Sequence, residues 1–214
     1  MTIIILIIGL ASSVTVNVLS IAAAGRLIGA PLDQIKLFSG PRLIRIKMGN
    51  ASLCVHAVPI GGCVKFQDDL VGVHPLKQVF IVISGCLGLF VAAIFVLGVS
   101  EALEQFASGF YQIVAGALAP STRGAKLISA AYEFLKANAF LLCLGSVAAK
   151  LAAGNLLPVP ALNGGDAVLY LVNWFMPLAS ETRERIRLVG SIFVAMLGIC
   201  WLVAFYFFVV GHLV

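Results

Sequence analysis

Five polar residues interrupt apolar stretches of this 214-residue chain, and they are the first candidates for chemistry. They are Asn17, Lys150, Asn155, Asn163 and Asp166. Polar groups in such surroundings are energetically expensive, so they normally pair with one another, with backbone carbonyls or with a ligand. For Lys150 the sequence leaves two interpretations open. Its ammonium either reaches toward an interface or a protein-lined cavity, or it pairs with Asp166.

Histidine and cysteine, the usual transition-metal ligands, do not form a recognisable metal motif. The histidines, His56, His74 and His212, show no pair at ligand spacing, and we expect each to be solvated or interfacial. Five scattered cysteines contain no C-x-x-C pair. The basic residues form no stripe interleaved with aromatic residues, so the sequence gives no sign of nucleic-acid binding.

Composition places the chain in a membrane. It is 61% hydrophobic and 11% charged, whereas soluble domains carry about 25% charged residues. Four stretches reach the length of about 20 residues that a bilayer requires, and they cover residues 3–24, 79–99, 137–157 and 188–210. We therefore predict one domain, residues 1–214, folded as an all-α membrane bundle with about four transmembrane helices.

The distribution of charge predicts the orientation of the bundle. The segment after the first span, residues 25–78, carries an excess of Lys and Arg, while residues 100–136 are balanced. The positive-inside rule then places the first loop in the cytoplasm and both termini outside. The N-terminal apolar stretch has no basic region before it and no small-residue cleavage site, so we expect a retained helix.

The first loop carries a β-hairpin pattern within residues 35–66. Leu43–Met48 and Ser52–Ala57 alternate apolar with polar residues on either side of the turn Gly49-Asn50, and Cys63–Phe66 is a further short strand. Open strands cannot face lipid, so this sheet must lie at the interface or against the helices. In the loop of residues 100–136 we expect an interfacial helix over residues 119–136.

Several segments, taken in order, resemble the site-2 protease family of intramembrane zinc metalloproteases. Asn155–Gly165 reads N-L-L-P-V-P-A-L-N-G-G and is similar to the family's N-L-L-P-x-P-x-L-D-G-G. Arg26–Ala30 with Phe38–Leu43 resembles A-R-x-x-G followed by F-x-x-G-P-K-L, and Val58–Phe66 resembles P-L-G-G-Y-V-K-F. Val189–Val210 is similar to the last helix. No segment is long enough for the PDZ domain that some members carry.

The resemblance implies where the catalytic residues of the family would stand, and here those positions hold other residues. The H-E-x-x-H motif corresponds to Asn17, Val18 and Ile21, and the Asp ligand corresponds to Asn163. Two imidazoles and a carboxylate bind zinc, and the Glu serves as general base. Neutral amides and aliphatic side chains supply none of this. The second span also departs, with Ser84–Leu89 in place of A-G-P-x-x-N.

We therefore expect a catalytically inactive, site-2-protease-like membrane protein without a cofactor, multi-pass in the bacterial inner membrane. Its partners would be membrane lipid and another membrane subunit or an extended polypeptide, bound by strand addition. The expected binding residues are Leu43, Ile44, Arg45, Ile46, Lys150, Asn155 and Asp166. The alternative is a divergent active zinc protease with non-standard ligands. A small-molecule or ion carrier has less support, because no inverted repeat is present.

Overall fold

The computed structural model describes residues 2–70 and 72–213 and shows a helical bundle with a small sheet after its first helix. The elements, in chain order, are α1 (Thr2–Ile28), β1 (Leu32–Met48), β2 (Ala51–Phe66), α2 (Pro75–Leu97), α3 (Val99–Leu118), α4 (Ala125–Ala137), α5 (Phe140–Asn155), α6 (Asn163–Phe175) and α7 (Ser180–Leu213). A 3-10 helix, Gln67–Leu70, follows the sheet, and a π-helical turn, Pro120–Gly124, precedes α4. The side chain of His212 lies outside the described part.

Three of the four predicted spans coincide with helices that are long and apolar enough to cross a membrane. Within the described residues these are α1, α2 and α7. The remaining prediction, residues 137–157, corresponds to α5, which has 16 residues. At 1.5 Å per residue α5 is shorter than the hydrocarbon layer of about 30 Å. Asn138 caps the preceding helix and the chain leaves α5 after Asn155, so both ends of the apolar stretch are used for turns.

The segment 100–118 is helical, which corrects its assignment to a loop. Gly98, with φ of 82°, ends α2, and α3 begins at the next residue. The buried residues of α3 are small, namely Ala102, Gly109, Ala115 and Gly116. They allow close packing against α5 and α7, while Glu101 and Glu104 remain exposed. The helix that was expected over residues 119–136 forms as the π-helical turn followed by α4.

The sheet is a long hairpin, β1 against β2, and is more extensive than the three short strands predicted. Its register places Ser52–Val55 between two parts of β1: Gln34–Leu37 on one side and Ile44–Lys47 on the other. Gln34–Leu37 also pairs with Gly62–Lys65. The two outermost strand segments are therefore residues 44–48 and 62–66. The inner part of the sheet packs on α1, through a cluster that includes Val18, Ile35 and Leu37.

Candidate functional site

Asn17 and Asn163, which are far apart in sequence, meet inside the bundle. Asn17 lies in the middle of α1, and Asn163 is the first residue of α6. The Asn163 Nδ2 amide donates a hydrogen bond to Asn17 Oδ1 at 3.1 Å. The same nitrogen lies 3.6 Å from the sulfur of Cys86, which is 2% exposed on α2. We call Asn17, Asn163, Gly85 and Cys86 the amide junction.

Helix α2 closes directly over this pair because residue 85 is a glycine. A Cβ atom at Gly85 would lie 2.1 Å from Asn17 Oδ1 and 2.8 Å from Asn163 Nδ2. One turn along α2, a Cβ atom at Gly88 would lie 2.0 Å from Ser20 Oγ of α1. The absence of side chains lets the two helices approach closely, as small residues do in membrane bundles. The amide junction is therefore sterically closed from the α2 side.

The two other positions that the resemblance marks as catalytic belong to apolar clusters. Val18 is 1% exposed and packs with Ala22, Ile35 and Leu37, between α1 and the sheet. Ile21 packs against a different cluster that includes Ile81 of α2. Neither side chain carries a donor or an acceptor, so these positions contribute packing and no ligand.

The Pro-rich motif positions Asn163 through close backbone contacts. After α5 the chain turns through Leu156–Leu162. A Cβ atom at Gly164 would lie 2.1 Å from the Leu156 carbonyl oxygen, and one at Gly165 would lie 2.1 Å from the Val159 carbonyl. Glycines at both positions thus let the start of α6 fold back on the turn. Asn155 donates to the Leu151 carbonyl of its own helix at 3.0 Å, so its amide stabilises the end of α5.

Of the two interpretations left open for Lys150, pairing with Asp166 is not the one that the structure shows. Lys150 Nζ donates to Gln112 Oε1 of α3. Asp166 instead accepts from Arg187 Nε of α7 at 3.0 Å, and Arg187 Nη2 lies 3.4 Å from the Tyr170 hydroxyl. The Arg187–Asp166 ion pair therefore ties α6 to the beginning of α7. The alternative interpretation of Lys150, a position in a protein-lined cavity, agrees with the structure.

The predicted binding strand lies in the part of the sheet that extends away from the helices. Leu43, Ile44, Ile46 and Met48 are each about half or more exposed. Within the described residues, segment 44–48 pairs on one side alone, with Ala51–Val55. Its other side is an open strand edge.

The side chains at the amide junction do not fit the zinc ion that the resemblance implies. A zinc site needs three or four imidazole, thiolate or carboxylate ligands. Here the Asn163 amide hydrogen bonds to Asn17 and contacts Cys86, and residues 18 and 21 are aliphatic. Across the described residues no group of three or more His, Cys, Asp and Glu side chains converges.

The fold and the site define an integral membrane helical bundle with a hairpin after its first helix and an amide pair in its interior. A comparison with protein families gives a match to Peptidase family M50 over residues 5–197. The match covers most of the chain, and this protein belongs to that family. A comparison with curated proteins gives no match.

Proposed function

We propose that this chain is a catalytically inactive member of the M50 family that serves as a structural or polypeptide-binding subunit of a membrane complex. It would lie in the bacterial inner membrane with both termini outside. The observation that carries the proposal is the hydrogen bond between Asn17 and Asn163 beneath Gly85. Residues at two positions where the resemblance implies metal ligands bind each other instead, so the junction acts as a link between helices.

The sheet supports a polypeptide-binding role. Backbone N–H and C=O groups on an open strand edge can pair with an extended segment of another chain. The segment 44–48 offers such an edge, and it carries apolar side chains at Ile44, Ile46 and Met48 and basic ones at Arg45 and Lys47. Strand addition needs backbone groups and no catalytic residue, so this capacity does not depend on a metal.

Metal content tests the loss of catalysis. We expect purified protein, isolated without chelators, to contain far less than one zinc per chain, because neutral amides bind zinc weakly compared with imidazole and carboxylate groups. Elemental analysis of the wild type and of Asn17→Ala and Asn163→Ala should give the same low value. Near-stoichiometric zinc that disappears in either variant would support the active protease instead.

Partner capture from native membranes tests the binding role. Proline substitutions at Ile44 and Ile46 remove backbone donors from the edge segment and should release a co-purifying membrane polypeptide. The side-chain variant Ile46→Thr should keep it, because strand addition depends on the backbone. Asn163→Ala serves as a matched control and should also keep the partner.

Thermal unfolding of the proline variants must show that the bundle is intact. A protein that remains monomeric after gentle solubilisation, or a partner that proline leaves in place, would contradict the proposed edge.

A further inference from the structure

A second polar cluster lies in a cavity of about 440 Å³ formed by α3, α4, α5 and one residue each of α1 and α7. This volume is within the range of about 300–1,000 Å³ typical of small-molecule sites. None of the four residues of the amide junction lines it. We call it the Lys150 cavity, after the one Lys or Arg among its lining residues.

One wall of the Lys150 cavity is polar, and its groups are mostly hydrogen-bond donors. Ser146 and Lys150 are one helical turn apart on α5, and Gln112 faces them from α3. The Gln112 oxygen accepts from Lys150, which leaves the amide nitrogen of Gln112 with its two donors. The Ser146 hydroxyl is buried, with the residue 4% exposed, and has no hydrogen-bond partner among the described residues.

Lys150 supplies the charge of this wall. Its ammonium has three donors, and within the described residues Gln112 is its one hydrogen-bond partner. The acidic residues at the start of α3 do not neutralise it directly. Glu101 is exposed and accepts from Gln105 at 2.7 Å, although its charge still attracts the ammonium. Glu104 is exposed and lines the cavity, but neither carboxylate forms an ion pair with Lys150 within the described residues. A partly buried ammonium with uncommitted donors, beside a buried hydroxyl that lacks an acceptor, is suited to an anion.

The lining away from Lys150 includes Glu104, Gln105 and Ser108 of α3, but most of it is apolar and suited to a hydrocarbon chain. Helix α4 contributes Leu127, Ile128, Phe134 and Leu135, while its Lys126, Glu133 and Lys136 are exposed. The indole of Trp201 on α7 also lines the cavity, and its nitrogen donates to the Ile113 carbonyl at 3.3 Å. The Trp201 nitrogen is therefore already satisfied, and the ring offers an apolar surface.

We propose that the Lys150 cavity binds a single-chain amphiphile with an anionic head. The head, a carboxylate or a phosphate, would accept hydrogen bonds from Lys150, Ser146 and Gln112, and the chain would lie against α4 and Trp201. Carboxylate and phosphate share this chemistry, and they correspond to a free fatty acid and to a lysophospholipid.

Quenching of Trp201 fluorescence tests this directly, because the chain has two tryptophans and the other, Trp174, is exposed on α6. The probes are dibromostearic acid, its methyl ester and a brominated lysophosphatidic acid, added to Trp174→Phe protein in detergent. We expect saturable quenching by one or both anionic probes and none by the ester. The anionic probe that quenches at the lower concentration shows whether the head group is the carboxylate of a fatty acid or the phosphate of a lysophospholipid.

Matched variants separate the charge from the fold. Lys150→Met should weaken the anionic probe at least about tenfold, since a hydrogen bond to a charged group is lost. Lys150→Arg and the exposed control Lys126→Met should bind as before, and Ser146→Ala should weaken binding by a smaller factor. Leu135→Phe, which narrows the apolar end without adding a tryptophan or changing charge, should also weaken saturable quenching.

Two outcomes would overturn the proposal. One is equal quenching by the ester and the acid, and the other is undiminished binding in a monodisperse Lys150→Met protein. Asn17→Ala should leave the probes unaffected, so failure of the Lys150 cavity and failure of the proposed inactive protease are distinguishable.

Discussion

The amide junction and the Lys150 cavity both place polar groups inside one apolar bundle, but they use them in opposite ways. In the junction, the Asn163 amide contacts Asn17 and Cys86. Because residue 85 is a glycine, α2 packs so closely on the two amides that no space remains for a ligand. In the cavity, Lys150 has one partner, Ser146 has none within the described residues, and about 440 Å³ remains beside them.

The difference separates polar residues that hold helices together from polar residues that can recognise a ligand. An intramembrane polar contact is worth about 0.6–1.7 kcal/mol when both partners are present. A donor left without an acceptor is a cost, and a bound water, ion or ligand is one way in which such a cost is offset. Residue type alone does not distinguish the two cases, whereas the space around each residue does.

The largest effect is expected when a bulky side chain is introduced into the amide junction. Gly85→Val places carbon atoms where Asn17 Oδ1 and Asn163 Nδ2 now lie, and we expect a loss of about 3 kcal/mol or more in stability. The loss of stability is measured as a decrease in the melting temperature in detergent, with the monodisperse fraction of the protein as the signal. Gly198→Val on α7 has nothing within 4 Å and is the matched control.

A rescue experiment tests whether the clash is the cause. Asn17→Ala removes the oxygen that a Cβ atom at Gly85 would meet first. The double variant Gly85→Ala with Asn17→Ala should therefore be less destabilised than the sum of the two single variants. Simple additivity would show that residue 85 acts through some other contact.

A smaller effect is expected from the hydrogen bond itself. A double-mutant cycle with Asn17→Ala and Asn163→Ala should give a coupling energy of about 0.6–1.7 kcal/mol. Thermal unfolding of the four proteins under one detergent condition measures it. A coupling near zero would mean that the amides are independent, and the junction would then not link α1 to α6.

The smallest effect should have the opposite sign. Lys150→Met removes an ammonium from a partly buried position and keeps a similar length, so we expect the ligand-free protein to gain about 0.5–1 kcal/mol. An added anionic amphiphile should stabilise the wild type and leave the variant unchanged. If Lys150→Met is destabilised instead, Lys150 belongs with the structural residues of the junction.

Much of the fold follows from local sequence. Hydropathy locates α1, α2 and α7, and the turn Gly49-Asn50 locates the tip of the hairpin. Helix α3 was missed because Glu101 and Glu104 make its stretch look like a loop. Its small buried residues become informative once their neighbours on α5 and α7 are known.

The candidate site is predictable in part, for a physical reason. The Asn17–Asn163 contact follows from motif spacing, because homologous positions converge in space. The role of Gly85 and Cys86 was missed, although the departure of Ser84–Leu89 from the family pattern was the available signal. Pairing of Lys150 with Gln112, and of Asp166 with Arg187, depends on helix rotation and tilt, which hydropathy does not specify.

The double pairing of Ser52–Val55 determines which part of the sheet can open locally. This segment is flanked by inner and outer parts of the same strand, β1, and its Cys54 is fully buried. The outer part can separate while the inner part still covers Ser52–Val55 and stays packed on α1. Amide hydrogens of residues 44–48 should therefore exchange with deuterium first, and those of the inner sheet much later.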